Sequence, residues 1–329
     1  MLEAAFALDR ARLLSTCDAI ASVQQGSGAI PEFPGGITNP WNHVEAVMAL
    51  DVGGLRSAAE LAYSWLFATQ RPDGAWSSGY LGAEVVDRTL DANFCAYVAF
   101  GVWHHFLITE DRGFLEEMWP VVEQAMGFVL EMQKPDGTIA WARDAKGRMA
   151  RTSLLTSNSC IFMSLRSAIL IAAELGVERT DWELSQAAIG GAIRQGDHLF
   201  AAKRRFSMDW YYPVLARAVE GEAAGFRLSE RWDEFVVPNR GARCVADRPW
   251  ITSGETAELV LALWVMGRTT EANLLLAWVD HLRADDGAYW IGATFPDGTV
   301  WPRQKPTWGS GSVVLAADVL AGGITAQVF

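Results

Sequence analysis

Six short stretches of this chain set carboxylates or other polar groups among aromatic rings, each just ahead of an apolar run. They are Asn39-Pro40-Trp41-Asn42-His43-Val44-Glu45, Asp87 to Asn93, Thr156 to Ser159, Ser207 to Tyr212, Asp247 to Glu255, and Pro306 to Ser310. Such a combination suits cleavage of a glycosidic bond, which needs one acid to protonate the leaving oxygen, one base to activate water, and flat apolar faces to hold sugar rings. Glu255 is the foremost candidate for the acid, with Glu45, Asp91 and Asp209 as further carboxylates. Candidate sugar platforms are Trp41, Trp210, Tyr211, Trp250 and Trp308, and Asn42, His43 and Arg248 are polar groups of the same stretches that could bind hydroxyls. The wider composition points the same way, because 15 Trp is an unusual number and many of them stand beside Gly, Pro or Asp rather than inside apolar runs.

Each of these residues also has a purely structural use. Thr252-Ser253-Gly254-Glu255 fits a capping box, in which the glutamate bonds back to the cap residue. Asn39-Pro40 is a good helix cap followed by proline at the first helical position. Asp91 and Asp209 fall in first turns, where a carboxylate gains from the helix dipole whatever else it does. Glu45, one turn further in, needs a partner if it is buried. The aromatic residues divide between core and platform.

Other chemistries find less support. The histidines 43, 104, 105, 198 and 281 show no metal-ligand spacing, and His104 and His105 point to different faces of one helix. Phosphate-cradling glycine loops and the Gly-x-Ser-x-Gly nucleophile elbow do not occur, so neither cofactor nor metal is expected. Lys and Arg number 27 against 39 Asp and Glu, and a net charge of −12 opposes binding to nucleic acid or an anionic membrane. Cys17, Cys95, Cys160 and Cys244 are far apart without a CxxC pair and read as reduced, buried thiols. The first ten residues carry acids where a signal peptide needs bases, and no apolar run approaches the roughly 18 residues of a membrane span. A soluble cytoplasmic protein is expected, as a monomer or small homo-oligomer.

The elements that would position these residues are helices of two alternating kinds. Amphipathic segments lie at 55–70, 111–133, 181–195, 222–237 and 269–283. Between them run segments that are apolar nearly all round, at 94–103, 158–172, 259–266 and 313–317, and these must be buried on every side. That order describes one all-α domain over 1–329, an (α/α)6 barrel with buried helices inside and amphipathic ones outside. Its parallel inner helices bring their N-termini, and hence the six polar stretches, to one face. Similar turns close the outer helices at Gln70 to Trp76, Gln133 to Gly137 and Arg283 to Trp290, and short β-hairpins are expected at 138–150 and 289–301.

The turn at 70–76 resembles the repeat of squalene cyclases and protein prenyltransferases, whose acid and zinc motifs this chain lacks, so the likeness bears on architecture alone. A fuller resemblance runs through Asn39 to Ala46, Leu90 to Asn93 with Trp103-His104-His105, Met208 to Leu215, and Arg243 to Thr252 leading to Glu255. On these motifs the chain resembles an actinobacterial group of six-hairpin glycosidases. The resemblance implies an intracellular, endo-acting, inverting enzyme that cuts a partly methylated α-1,4-mannan. It further implies a catalytic pair formed by Glu255 and an Asp immediately before Pro-Trp-Asn-His, where this chain has Asn39. An amide cannot accept a proton near neutral pH. Either the chain is an impaired variant, or Asp209 or Asp91 supplies the second carboxylate. Two readings compete with hydrolysis: a glycan-binding protein without activity, and a sugar epimerase using His43 or His104 as base.

Overall fold

Most helices of this protein start or stop at residues chosen for the purpose. Asn39 ends the preceding loop, its Oδ1 accepting the Asn42 N–H at 2.9 Å, and Pro40 opens the helix with its ring already at a helical φ. Asp91 and Asp111 do the same for the helices that follow them. The computed structural model describes residues 9–329. The acidic opening stretch read above against a signal peptide lies, up to residue 8, outside the described residues.

In chain order the helices are α1 (Arg10–Ala21), α2 (Pro40–Val52), α3 (Arg56–Thr69), α4 (Ala92–Thr109), α5 (Arg112–Leu130), α6 (Leu155–Glu174), α7 (Thr180–Gln195), α8 (Met208–Leu215), α9 (Gly221–Glu230), α10 (Trp232–Phe235), α11 (Ser253–Val265), α12 (Thr269–Val279) and α13 (Thr307–Leu320). The apolar ones, α2, α4, α6, α8, α11 and α13, each pack on the next, and α13 returns to α2. Around this closed cycle, α3, α5, α7, α9, α12 and α1 lie against the inner helices. Val44 to Leu50 of α2 and Ala257 to Leu263 of α11 are buried throughout, because neither helix has a face left over for solvent.

The recurring turn is a joint between successive outer helices. In the first, the Gln70 side chain donates to the Gly74 carbonyl at 3.0 Å and to the Val121 carbonyl of α5 at 2.9 Å. Gly74 itself, at φ +82°, sits so close to α5 that a Cβ there would run into the Gln124 carbonyl. Gln133 with Gly137 makes the same joint to Ser185 and Ala188 of α7, and Arg283 with Gly287 makes it to Arg12 and Ser15 of α1. A fourth copy, Gln24 with Gly28 against Ala58 and Leu61 of α3, was not foreseen because no Asp-Gly marks it.

Two expectations need correction. The hairpins at 138–150 and 289–301 exist, through Arg143 facing Met149 and Ala293 facing Val300, but each is part of a larger sheet. The strands are β1 (Gly79–Leu81), β2 (Glu84–Asp87), β3 (Leu90–Asp91), β4 (Ala142–Arg143), β5 (Val236–Val237), β6 (Gly241–Arg243), β7 (Trp250–Thr252) and β8 (Gly292–Thr294). β4 pairs with β3, and β8 closes a four-stranded antiparallel sheet in the order β5-β6-β7-β8. Also, α6 is by length and hydropathy apolar enough to cross a membrane. It is an inner helix with 72% of that stretch buried.

The joint predicts unequal costs for two glycines of left-handed conformation. Gly82→Ala, with nothing within 4 Å of the added Cβ, meets only the backbone penalty of about 1–2 kcal/mol. Gly74→Ala must in addition push α5 away and is expected to lower the denaturation midpoint by clearly more. Equal losses in urea melts of the two variants would show that the joint is not under close packing.

Candidate active site

The first turns of the inner helices touch one another in sequence and across the ring. Trp41 of α2 stands 5.9 Å from both Phe94 and Tyr97 of α4 and 6.2 Å from Tyr212 of α8, ring centre to ring centre. Thr156 of α6 donates to Asp209 of α8 at 2.6 Å. Tyr211 and Tyr212 of α8 both donate to Glu258 of α11, and Ser312 of α13 donates to Glu45 of α2 at 2.5 Å. Trp308 of α13 lies over Gly254, where any Cβ would collide with its ring. The polar stretches therefore share one end of the ring, as the alternation of helices predicts.

Glu255 is only 6% exposed and does not cap its helix. Thr252 makes no side-chain cap bond, so the capping box is not formed. The Glu255 Oε2 is buried with no protein partner. A buried acid with an unmet oxygen is costly in a purely structural role, and it is what a proton donor awaiting a ligand requires. Its surroundings are acidic. Glu45 and Glu258 lie near it within the ring, and burial, followed by the negative charge of Glu255, pushes the Cys244 thiol up. Burial lifts the Glu45 carboxyl to about 7 despite the Ser312 hydrogen bond, and Glu255 adds to the lift. Glu258 is raised well above the ordinary carboxylate range, first by burial and then by the charge of Glu45.

Position 39 is fully engaged. Asn39 is buried, its Oδ1 caps α2, and its Nδ2 donates to Glu32 Oε1 at 2.9 Å. Asn42 Nδ2 donates to the same oxygen at 2.8 Å. Burial raises the Glu32 carboxyl, and these two amide donors partly offset the rise.

The remaining candidates separate. Asp91 caps α4 through the Asn93 and Phe94 amides, and burial lifts it to about 7. Asp209, also raised by burial, is held by Thr156. Trp41 and Trp308 are half-buried at the mouth, and half-buried Trp250 meets Trp301 edge to face at 5.9 Å on the β7–β8 side. Arg248 is exposed on the turn before β7. Three candidates are corrected. His43 is wholly buried: its Nδ1 accepts the Ile30 N–H, so its Nε2 carries the proton and donates to the Ala62 carbonyl. Burial lowers it to about 4, so it is a neutral structural group with no atom for a sugar or for base chemistry. Trp210 is 1% exposed, bonded to the Arg227 carbonyl and stacked on Phe235, and so belongs to the core. Tyr211 is completely buried and serves Glu258 rather than a sugar face. His104, the other base considered for epimerisation, is buried in the C-terminal half of α4 against Thr325.

Glu258, Ser312, Tyr212 and Glu32 were missed. A glutamate one turn after Glu255 in an otherwise apolar helix was a usable signal, since such a charge must be matched inside. Glu32 gave none, because it stands in an irregular loop between prolines.

The raised carboxyls fix a pH dependence. In the unfolded chain Glu45 loses its proton near 4.5, whereas in the folded protein it keeps it to about 7. Between those values the folded state binds more protons, so stability falls as pH rises through the window. Asp91 acts in the same sense. Glu45→Gln, which cannot ionise, is expected to flatten the decline in melting temperature between pH 5 and 7.5, and an unchanged slope would deny Glu45 its raised value.

No family model matches the chain. Over 93% of its length, and 85% of the relative's, it is 49% identical to the MMP endo-(1,4)-3-O-methyl-α-D-mannosidase of Mycolicibacterium hassiacum. Among solved structures it is similar to a wild-type glycosidase, with TM-score 0.76 and 14% identity over 95% of this chain and 98% of the other. A D-mannose isomerase has TM-score 0.70 and 10% identity, covering 94% and 96% of the two chains, and an α-amylase from Clostridium perfringens has 0.71 and 11%, covering 94% and 97%. At such identities these three speak for the fold alone. The identity to the mannosidase decides the family: the chain belongs to the glycoside hydrolases represented by that enzyme.

Proposed function

We propose that this protein is an inverting endo-α-1,4-mannosidase acting on a 3-O-methylated mannan, built as a single (α/α)6 barrel domain with its cleft at the N-terminal ends of the inner helices. The observation that carries the reading is Glu255, a buried carboxyl at the mouth with one oxygen unpartnered and the ring of Trp308 beside it. In this reading Glu255 protonates the leaving glycosidic oxygen. Trp41, Trp250 and Trp308 offer half-buried faces to sugar rings, and methyl groups on the substrate increase the apolar area such faces can cover. The closed cycle of inner-helix contacts supports the barrel, and the relative's substrate supports the mannan. A cytoplasmic location belongs to the same reading, supported by four cysteines that are all free, three of them buried.

The amide at position 39 favours a second reading, a glycan-binding protein that no longer cuts. Mass spectrometry of α-1,4-mannans, methylated and unmethylated, after incubation with the protein separates the two. Hydrolysis gives shorter chains with new reducing ends, and binding gives none. Glu255→Gln is expected to slow cleavage by about 10²–10⁴-fold while the melting temperature stays close to that of the parent. A variant that melts earlier yet cuts at the parent rate would return Glu255 to a structural role.

A further inference from the structure

We propose that Glu32 is the base that activates water in this protein, an assignment that rests on Glu255 being the acid. The hydrogen bonds at position 39 lead to it. Because the Asn39 oxygen is committed to the Asn42 backbone amide, the side chain can present only N–H groups to Glu32. Both donors, Asn39 Nδ2 and Asn42 Nδ2, reach the same atom, Oε1. Among the described residues no side chain or backbone group donates to Oε2 of this half-buried carboxylate.

Backbone contacts tie Glu32 to the mouth. The Glu32 carbonyl accepts the Thr307 N–H at 2.8 Å, and the Pro31 carbonyl accepts the Thr307 hydroxyl at 2.9 Å. Two residues earlier, Ile30 donates to His43. Glu32 is thus pinned between the first turns of α2 and α13. Thr307 is followed by Trp308, the ring that covers Gly254 ahead of Glu255, so the segments carrying both carboxyls touch the first turn of α13. Of the other carboxylates of the mouth, Glu258 has both oxygens engaged by tyrosines, Asp91 caps α4 through two backbone amides, and Asp209 and Glu45 each accept a hydroxyl at one oxygen, whereas Glu32 is held by two side-chain amides.

A carboxylate at 39 would stand against Glu32 as a like charge, and one of the two would have to hold a proton. An amide there removes the competition and leaves Glu32 able to ionise. The presence of Asn39 then marks a change in which carboxylate carries the charge, with the base retained. In the step, Glu32 Oε2 takes one proton from water as the water oxygen bonds to the anomeric carbon. The bond from that carbon to the leaving oxygen breaks, its electron pair stays on the leaving oxygen, and that oxygen receives the proton of Glu255. Glu32 ends protonated and Glu255 ionised, and exchange with solvent resets both.

The test compares the full-length parent with Glu32→Gln, Glu32→Ala, Glu255→Gln and Asn39→Asp on a 3-O-methylated α-1,4-mannan, reading reducing-end release and melting temperature. Glu32→Gln is expected to lose about 10²-fold or more in rate while melting near the parent. With sodium azide, Glu32→Ala should form a β-configured glycosyl azide, because azide attacks without needing a base; this readout does not depend on how well the glutamine variant folds. Asn39→Asp should give no increase in turnover. A Glu32→Gln rate within threefold of the parent, no azide product from Glu32→Ala, or a tenfold or greater gain in Asn39→Asp would overturn the assignment. If Glu255→Gln is inactive while Glu32→Gln cuts normally, Glu32 alone is rejected. If Glu255→Gln cuts normally, the acid on which the assignment rests is rejected with it.

Discussion

An inner helix with no polar face can be satisfied only by neighbours on every side, and that constraint organises the whole molecule. Six such helices meet it by packing each on the next until the last returns to the first. The outer helices then need only one apolar stripe, and the joints at Gln24, Gln70, Gln133 and Arg283 lock four of them to the following one through backbone carbonyls. Because the inner helices run the same way, six N-terminal ends gather at one mouth. Their unpaired N–H groups favour carboxylates there.

Placing carboxylates inside an apolar ring has a cost that the site turns to use. Glu45 and Glu258 remain protonated more readily than free acids because water is excluded from them, and Ser312, Tyr211 and Tyr212 meet their oxygens. Glu255 sits beside these two with one oxygen left over. At the rim, burial raises Glu32 as well, and two amide donors partly offset the rise.

The architecture was legible because its signal is periodic and long: helices apolar all round can only be inner ones, and those with a charged face can only be outer. Glu255 was legible because it opens such an inner helix. Burial of individual side chains was not, since Trp210 and Trp308 stand in similar first-turn contexts and only packing sends one into the core beside Phe235 and the other over Gly254. His43 looked like a polar group at a mouth, but its ring is closed off by Ile30 and Ala62, residues distant from it in sequence. Glu32 could not be found from spacing, because an irregular loop brings it to Asn39 and nothing in its own segment announces the contact. The resemblance singles out position 39, and the structure places Glu32 against it.

The account stands on two carboxyls working from opposite sides of the sugar, with water between the base and the anomeric carbon. Proton NMR of the anomeric signals during the first minutes of digestion of a 3-O-methylated α-1,4-mannan tests this most directly. The account predicts that the new reducing end appears first as the β anomer and only later mutarotates to the mixture. An initial α anomer would mean retention through a covalent intermediate, and would contradict the pairing of acid and water-activating base on which the site has been built.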